Sequence, residues 1–331
     1  MNLKIINYIN SYVKMKFKIK KHIGILVLVT IVILFVDYLK NHIKDFQQLS
    51  LVNPIYILIL AIIFIFYLSL NGILLKTLME PFNIKLKNLE AFGLSIITNF
   101  YNYITPFRGG AGVRAIYLKK KHNFSYVHFF ATLSAIYILI FLIGSLGGLI
   151  SMGYIWLNYG IFDYLIFSVF LIFFLFLLLI IFFSPKLSKR KNKWINKVIE
   201  IINGWQLIKS NKKIIITTLI ISSLQLVLMS MNFWIAYRSF GIEIEFFKAL
   251  FIASINSLSM LLAITPGNLG IGDAINVFSA GLVGIGVAGA IGATVLRRGV
   301  TLLVIFIMGP IFSYILLKHN PNKQKNEHEK K

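Results

Sequence analysis

Residues 104–116 read ITPFRGGAGVRAI, and 160 positions later residues 264–276 read ITPGNLGIGDAIN. The two stretches share Ile-Thr-Pro, and Gly110 and Gly112 fall on Gly270 and Gly272. Each closes an apolar segment, 89–105 in the first case and 246–265 in the second. Pro106 and Pro266 have no backbone N–H and push Thr105 and Thr265 out of helical conformation, so each segment breaks there. The glycines that follow, Gly267 among them, let the chain turn sharply and let another helix or a ligand approach the backbone. Lipid cannot satisfy the backbone groups freed at a break, so such backbone must be buried in protein or line a hydrated cavity.

The rest of the chain says that lipid is the solvent. Hydrophobic residues make up 58% of the 331, 29 of them Phe, and only 14% are charged, more apolar surface than one soluble core could bury. Runs such as 23–39, 54–75, 125–149 and 164–183 carry almost no charge over about the 17–25 residues that a helix needs to cross the hydrocarbon, and apolar runs read against breakers lie near 23–39, 54–75, 125–150, 160–183, 214–240 and 287–317. They are expected to be full crossings. The segment 1–22 is too long and too interrupted for a signal peptide, so the first crossing is expected to be retained.

The net charge of +23 follows topology before it follows any ligand, and nucleic acid is not an expected partner. Positive charge is dense in 1–22, at Lys119, Lys120 and Lys121, in 184–213 and in the tail 318–331, which places all four in the cytoplasm. The poorly charged segments 40–53, 154–159 and 241–248 are expected outside. A simple crossing at 89–105 would strand the lysine triplet on the wrong side. A hairpin repairs the parity: 89–105 enters from the cytoplasm, turns, and returns through 107–118, while 246–282 does the same from outside.

The expected architecture is an all-α membrane protein of about six full spans plus two re-entrant hairpins in an inverted repeat, the alternative being eight simple spans. Its organisation is a basic N-terminus (1–22), one membrane domain (23–317) with repeats at about 54–150 and 214–317, and a polar tail (318–331). Inverted repeats with broken helices meeting near the midplane mark many transporters. Loop 184–213 holds nine Lys or Arg against Glu200, with Trp194, Ile195, Val198, Ile199, Ile202 and Trp205 at helical spacing, the pattern of an amphipathic helix on an anionic leaflet.

Arg108 and Arg114 flank the first break, and Arg297 and Arg298 lie about ten residues into the last apolar run. An arginine at the centre of a span costs roughly 2.5–3.5 kcal/mol on insertion scales, so it should face a partner or water. Four arginines near two breaks make a cationic interior suited to phosphate. Asp273 is the nearest carboxylate and the expected counter-charge to Arg297 or Arg298, while Arg114 could instead snorkel towards Lys119. The run from Gly281 to Ala293 reads as close helix packing. With no cysteine and six scattered histidines, no thiolate chemistry, metal site, cofactor or catalytic constellation is expected, and the chain is not expected to be an enzyme.

At the two breaks the chain resembles the flippase-like membrane family related to the transmembrane domain of lysylphosphatidylglycerol synthase. That family's Pro-x-Arg-x-Gly-acid-x-x-Arg pattern is met by Pro106, Arg108, Gly110 and Arg114, and its second pattern by Pro266, Gly267, Gly270 and Asp273, with Arg297 or Arg298 some twenty residues on. Ala111 and Gly272 stand where the patterns have an acid and an arginine, and Ala135 and Ile136 stand near an expected Glu-Arg pair. The resemblance runs from about 20 to 318. It implies translocation, between leaflets of the cytoplasmic membrane, of a lipid with an anionic or glycosylated head group, either an anionic phospholipid or a polyprenyl-phosphate-linked substrate. The alternative is a non-transporting membrane partner of an enzyme of glycolipid or cell-surface polysaccharide biosynthesis. The soluble aminoacyl-transfer domain of the synthases is not expected here.

Overall fold

The computed structural model describes residues 50–184, 186–188 and 193–317. The basic N-terminus, the expected crossing at 23–39 and the polar tail lie outside the described residues. The described chain is all helix and turn: α1 (Ile55–Met79), α2 (Asn88–Ile104), α3 (Gly110–His122), α4 (Tyr126–Tyr159), α5 (Tyr164–Phe183), α6 (Lys193–Ser210), α7 (Lys212–Arg238), α8 (Phe246–Ser259), α9 (Ile271–Leu282) and α10 (Val287–Leu317).

Five of these, α1, α4, α5, α7 and α10, are long and apolar enough to cross a membrane. They correspond to the five expected crossings that fall within the described residues. The 13 residues of α3 and 12 of α9 are different. At 1.5 Å per residue they reach only about 18–20 Å, short of the roughly 30 Å of hydrocarbon.

The repeat extends through four helices on each side, with α5 and α6 between them. Helices α7, α8, α9 and α10 follow α1, α2, α3 and α4 at intervals of about 160 residues. The packing obeys the same correspondence: α1 lies against its counterpart α7, while α2 packs on α10 and α8 on α4. Each hairpin therefore has its own core, closed by the end of the other repeat's last helix. Leu94, Ile97 and Leu118 of the first hairpin pack with Val304, Phe312 and Leu316 of α10. Phe251, Ile252 and Ala280 of the second pack in one cluster with Met152 and Ile155 of α4.

Three expectations are revised in detail. Residues 154–159, read as a loop, are the last turns of α4, because nothing breaks the helix before Gly160, which caps it at φ +66°. The small-residue run is not one packing stripe. Gly281, Gly284 and Gly286 have no neighbour where a side chain would stand, whereas Gly289 meets Ile242 and Ala290 and Ala293 are buried. The basic amphipathic segment does form a helix, α6, but Ile199, Trp205 and Ile208 are buried, the latter two in a cluster with Leu74, Leu78 and Ala135, while Ile195, Val198 and Leu207 are exposed. Trp205 Nε1 donates to Ser184 Oγ at 3.1 Å and Lys209 Nζ to the Phe182 carbonyl at 3.0 Å, tying α6 to the end of α5.

Candidate functional site

The two breaks share one backbone course from the threonine to the second residue after the proline. Thr105 and Thr265 are extended, as the residue before proline should be. One 3₁₀ turn follows each, Pro106–Arg108 and Pro266–Asn268. Within them Phe107 (φ 54°) matches Gly267 (φ 59°), and Arg108 (φ 55°) matches Asn268 (φ 56°), all left-handed. Two successive left-handed residues that are not glycine are costly, a kind of local strain that gathers at functional sites. The breaks also touch: the Phe107 N–H donates to the Ile264 carbonyl at 3.2 Å.

Glycine serves the two breaks differently. A Cβ on Gly110 would lie 1.9 Å from the Thr98 carbonyl oxygen, so only glycine lets α3 leave the break flush against α2. Gly112, in contrast, faces open space. Gly270 takes φ +79° and begins α9, where its N–H donates to Asp273 Oδ2 at 2.9 Å.

Where the breaks meet lies a cavity of about 190 Å³, walled by α1, α2, α7, α8, α9 and α10. Arg108, Arg297, Arg298 and Asp273 line it. Arg298 is the most heavily bonded. Its Nη2 and Nε reach Asp273 Oδ1 at 2.6 and 3.1 Å, and its Nη1 donates to the Gly267 carbonyl and to Tyr103 Oη, both at 2.9 Å. One guanidinium thus holds the second break closed and ties it to the last turn of α2.

Arg297 points elsewhere. Its Nε donates to Asn232 Oδ1 at 2.6 Å, and its guanidinium stacks 3.3 Å from the Phe233 ring centroid. Arg108 lies over the Tyr137 ring at 5.4 Å, with Nη1 buried and unbonded. Neither Arg108 nor Arg297 has a carboxylate partner among the described residues, so the cavity holds more positive charge than Asp273 offsets. Arg114 is not part of the wall. It is 9% exposed within α3 and lies over Phe129 at 5.5 Å, inside the protein and not at a lipid boundary.

A second polar cluster closes the open end of the first hairpin. Glu90, 6% exposed at the start of α2, accepts from Tyr117 Oη and from His122 Nε2, both at 2.7 Å, and pairs with Lys121 at 3.2 Å. Burial raises the Glu90 pKa, but the hydrogen bonds from His122, Tyr117 and Lys121 outweigh it and leave the carboxyl below its ordinary range.

The family described as the lysylphosphatidylglycerol synthase TM region matches residues 22–309. The chain belongs to that family. It is a membrane domain, in keeping with the five apolar helices, and no curated protein matches the chain. Within this lysylphosphatidylglycerol synthase TM-region fold, sequence reasoning missed Tyr103, Asn232, Glu90 and the asparagines of the cavity. Polar side chains in otherwise apolar helices are themselves a signal, since they are expensive in lipid and turn inward.

Proposed function

We propose that this protein moves a lipid with an anionic or glycosylated head group between the leaflets of the cytoplasmic membrane, the head group passing through the cavity between the two breaks. The observation that carries the proposal is the meeting of two matched breaks at a cavity lined by three arginines and a single aspartate. In this reading α2–α3 is a hairpin dipping in from the cytoplasm and α8–α9 one dipping in from outside, because α3 and α9 are too short to cross. The repeats are then inverted, and both termini are cytoplasmic. Such an interface can open to either side by small motions of one repeat against the other while the acyl or prenyl chains stay in lipid.

Uncompensated guanidinium groups favour a phosphate by charge-assisted, bidentate hydrogen bonds. The reading is of a transporter and not an enzyme, with membrane lipids as its partners and enzymes of lipid or glycan biosynthesis as its suppliers. The test is transfer of fluorescent anionic phospholipids and polyprenyl-phosphate sugars in proteoliposomes. Transfer above that of protein-free vesicles, slowed by Arg297→Gln in a folded protein, supports the proposal. Transfer no faster than in protein-free vesicles across the whole panel overturns it in favour of a non-transporting partner of a biosynthetic enzyme.

A further inference from the structure

The far side of the phosphate must also be matched, and the cavity discriminates there. Asp273 is the only carboxylate among its described lining residues, and both of its oxygens are already used, Oδ1 by Arg298 and Oδ2 by the Gly270 N–H. Of the aromatic rings that line it, Tyr103 already carries Arg298 and Phe64 stacks with Tyr67. An ammonium group entering this cavity finds no free carboxylate, and it meets Arg108 and Arg297 uncompensated.

What the cavity offers instead is amide. Six asparagines line it: Asn99, Asn102, Asn232, Asn256, Asn268 and Asn276. The orientation of three is fixed by their partners. Asn102 and Asn232 must turn oxygen to the Gly110 N–H and the Arg297 Nε, which leaves each NH₂ without a hydrogen bond among the described residues. Asn99 must turn its NH₂ to the Ser95 carbonyl at 2.9 Å, which leaves its oxygen. Asn256 and Asn276 bond each other at 2.6 Å, one giving and one accepting, and so leave one donor and one acceptor. Asn268 turns its NH₂ to Ser259 Oγ at 3.4 Å, and its Oδ1 is buried away from the cavity. Spare donors and acceptors are thus interleaved around one small space. A hydroxyl both donates and accepts, and a set of neighbouring hydroxyls is the group that uses such a lining fully.

We infer that the head group is a phosphodiester whose far side is uncharged and rich in hydroxyls, a single glycerol, inositol or hexose unit, and that aminoacylated and ethanolamine head groups are rejected. The inference deepens the proposed function and rests on the same cavity. Its size agrees: about 190 Å³ is below the roughly 300–1,000 Å³ of pockets for drug-sized ligands, so one ring fits and an oligosaccharide does not. The selection is by absence as much as by contact, since a partner lacking a counter-charge is refused by the groups it would leave unpaired.

The test is equilibrium binding to the purified full chain in detergent, where no leaflets exist and transport plays no part. Probes are dihexanoyl-phosphatidylglycerol and dihexanoyl-phosphatidylinositol, a short-prenyl phosphoryl hexose, dihexanoyl-phosphatidylethanolamine and dihexanoyl-lysylphosphatidylglycerol. The expected result is binding of one of the first three at least tenfold tighter than of either of the last two. Preference for the prenyl compound points to a polyprenyl carrier, and preference for the first pair to a diacylglycerol lipid. Equal or tighter binding of lysylphosphatidylglycerol or phosphatidylethanolamine, or no binding by any probe, overturns the inference. Asn102→Asp keeps an oxygen for the Gly110 N–H while placing a carboxylate where the NH₂ stood, and Asn232→Asp does the same beside Arg297. In whichever variant elutes and melts as the parent does, the preference should shift at least tenfold towards the lysyl lipid. An unchanged preference in a folded variant removes the asparagines from recognition. Selective binding together with failed transfer in proteoliposomes would sink the transport proposal and leave the selectivity standing.

Discussion

Arg298 Nη1 and Tyr103 Oη lie 2.9 Å apart across 195 residues of sequence, so the guanidinium that pairs with Asp273 also joins the second break to the first. Removing Asp273 alone leaves that guanidinium partly buried without its carboxylate. Breaking such a pair from one side typically costs about 3–5 kcal/mol, whereas removing both charges costs far less. Asp273→Asn is therefore expected to lower the melting temperature of the purified protein strongly. Asp273→Asn with Arg298→Gln should recover most of the loss, and Asp273→Asn with Arg297→Gln should not. Equal melting of the single variant and the Arg298 double variant would sink the pairing.

Glu90 predicts a pH dependence. Its carboxyl sits below its ordinary range in the folded protein, so the unfolded state binds the proton more tightly. The stability it contributes is therefore fully present above the unfolded carboxylate pKa and is lost as pH falls through the lower folded value. The protection factors of amides in α2 and α3 are expected to fall as pH drops below the ordinary carboxylate range, with the amides around Tyr117 responding first. Glu90→Gln should exchange faster at neutral pH and lose that acid response. An acid response of the same size in the variant would assign it to another group.

Gly110 and Gly112 provide an internal control, because both occupy repeated positions and only one is crowded. Forcing a methyl group against the Thr98 carbonyl should separate α3 from α2, and overpacking of this kind costs about 1–3 kcal/mol or more. Gly112→Ala meets nothing and should stay within about 0.5 kcal/mol of the parent, the range of substitutions away from contacts. Thermal denaturation in one detergent measures both. Similar losses at the two positions would mean that Gly110 is not held by close approach.

How far the sequence could be read follows from which physical signals are local. Hydrophobic runs report on burial in lipid residue by residue, so α10 begins at Val287 where the run does. Pro106 and Pro266 act on the residue beside them, so the breaks were visible as well. The identity of the counter-charge was not local. Arg297 and Arg298 are adjacent in sequence, yet helical geometry turns them to different partners, Asn232 on α7 and Asp273 on α9. Arg114 shares a motif with Arg108 but lies on α3 beyond the turn and does not line the cavity. The asparagines come from four helices and the turn of the second break, and no spacing along the chain announces that they converge. The amphipathic reading of 184–213 missed that a helix face made apolar for a leaflet serves equally well against a protein, which is how Trp205 and Ile208 are used.

The last prediction concerns orientation, on which the inverted repeat depends. If α2–α3 is a hairpin from the cytoplasm, Lys120 near the end of α3 returns to the side it left, and Glu243, in the turn before α8, lies on the opposite side. Both residues are exposed, so a cysteine at either will be reachable. The chain contains no cysteine, so a single introduced thiol reports only its own position. Lys120→Cys should react with a membrane-impermeant maleimide only after the cytoplasmic face is opened, and Glu243→Cys should react in intact cells. The distinction is sharp because α3 holds Lys119, Lys120 and Lys121 in its last turn. Were α2 and α3 to make one crossing together, those charges would lie outside, against the excess of Lys and Arg that cytoplasmic loops carry. Labelling of Lys120→Cys in intact cells would remove the hairpin, and with it the inverted relation between the repeats and the argument that the cavity opens to each leaflet in turn.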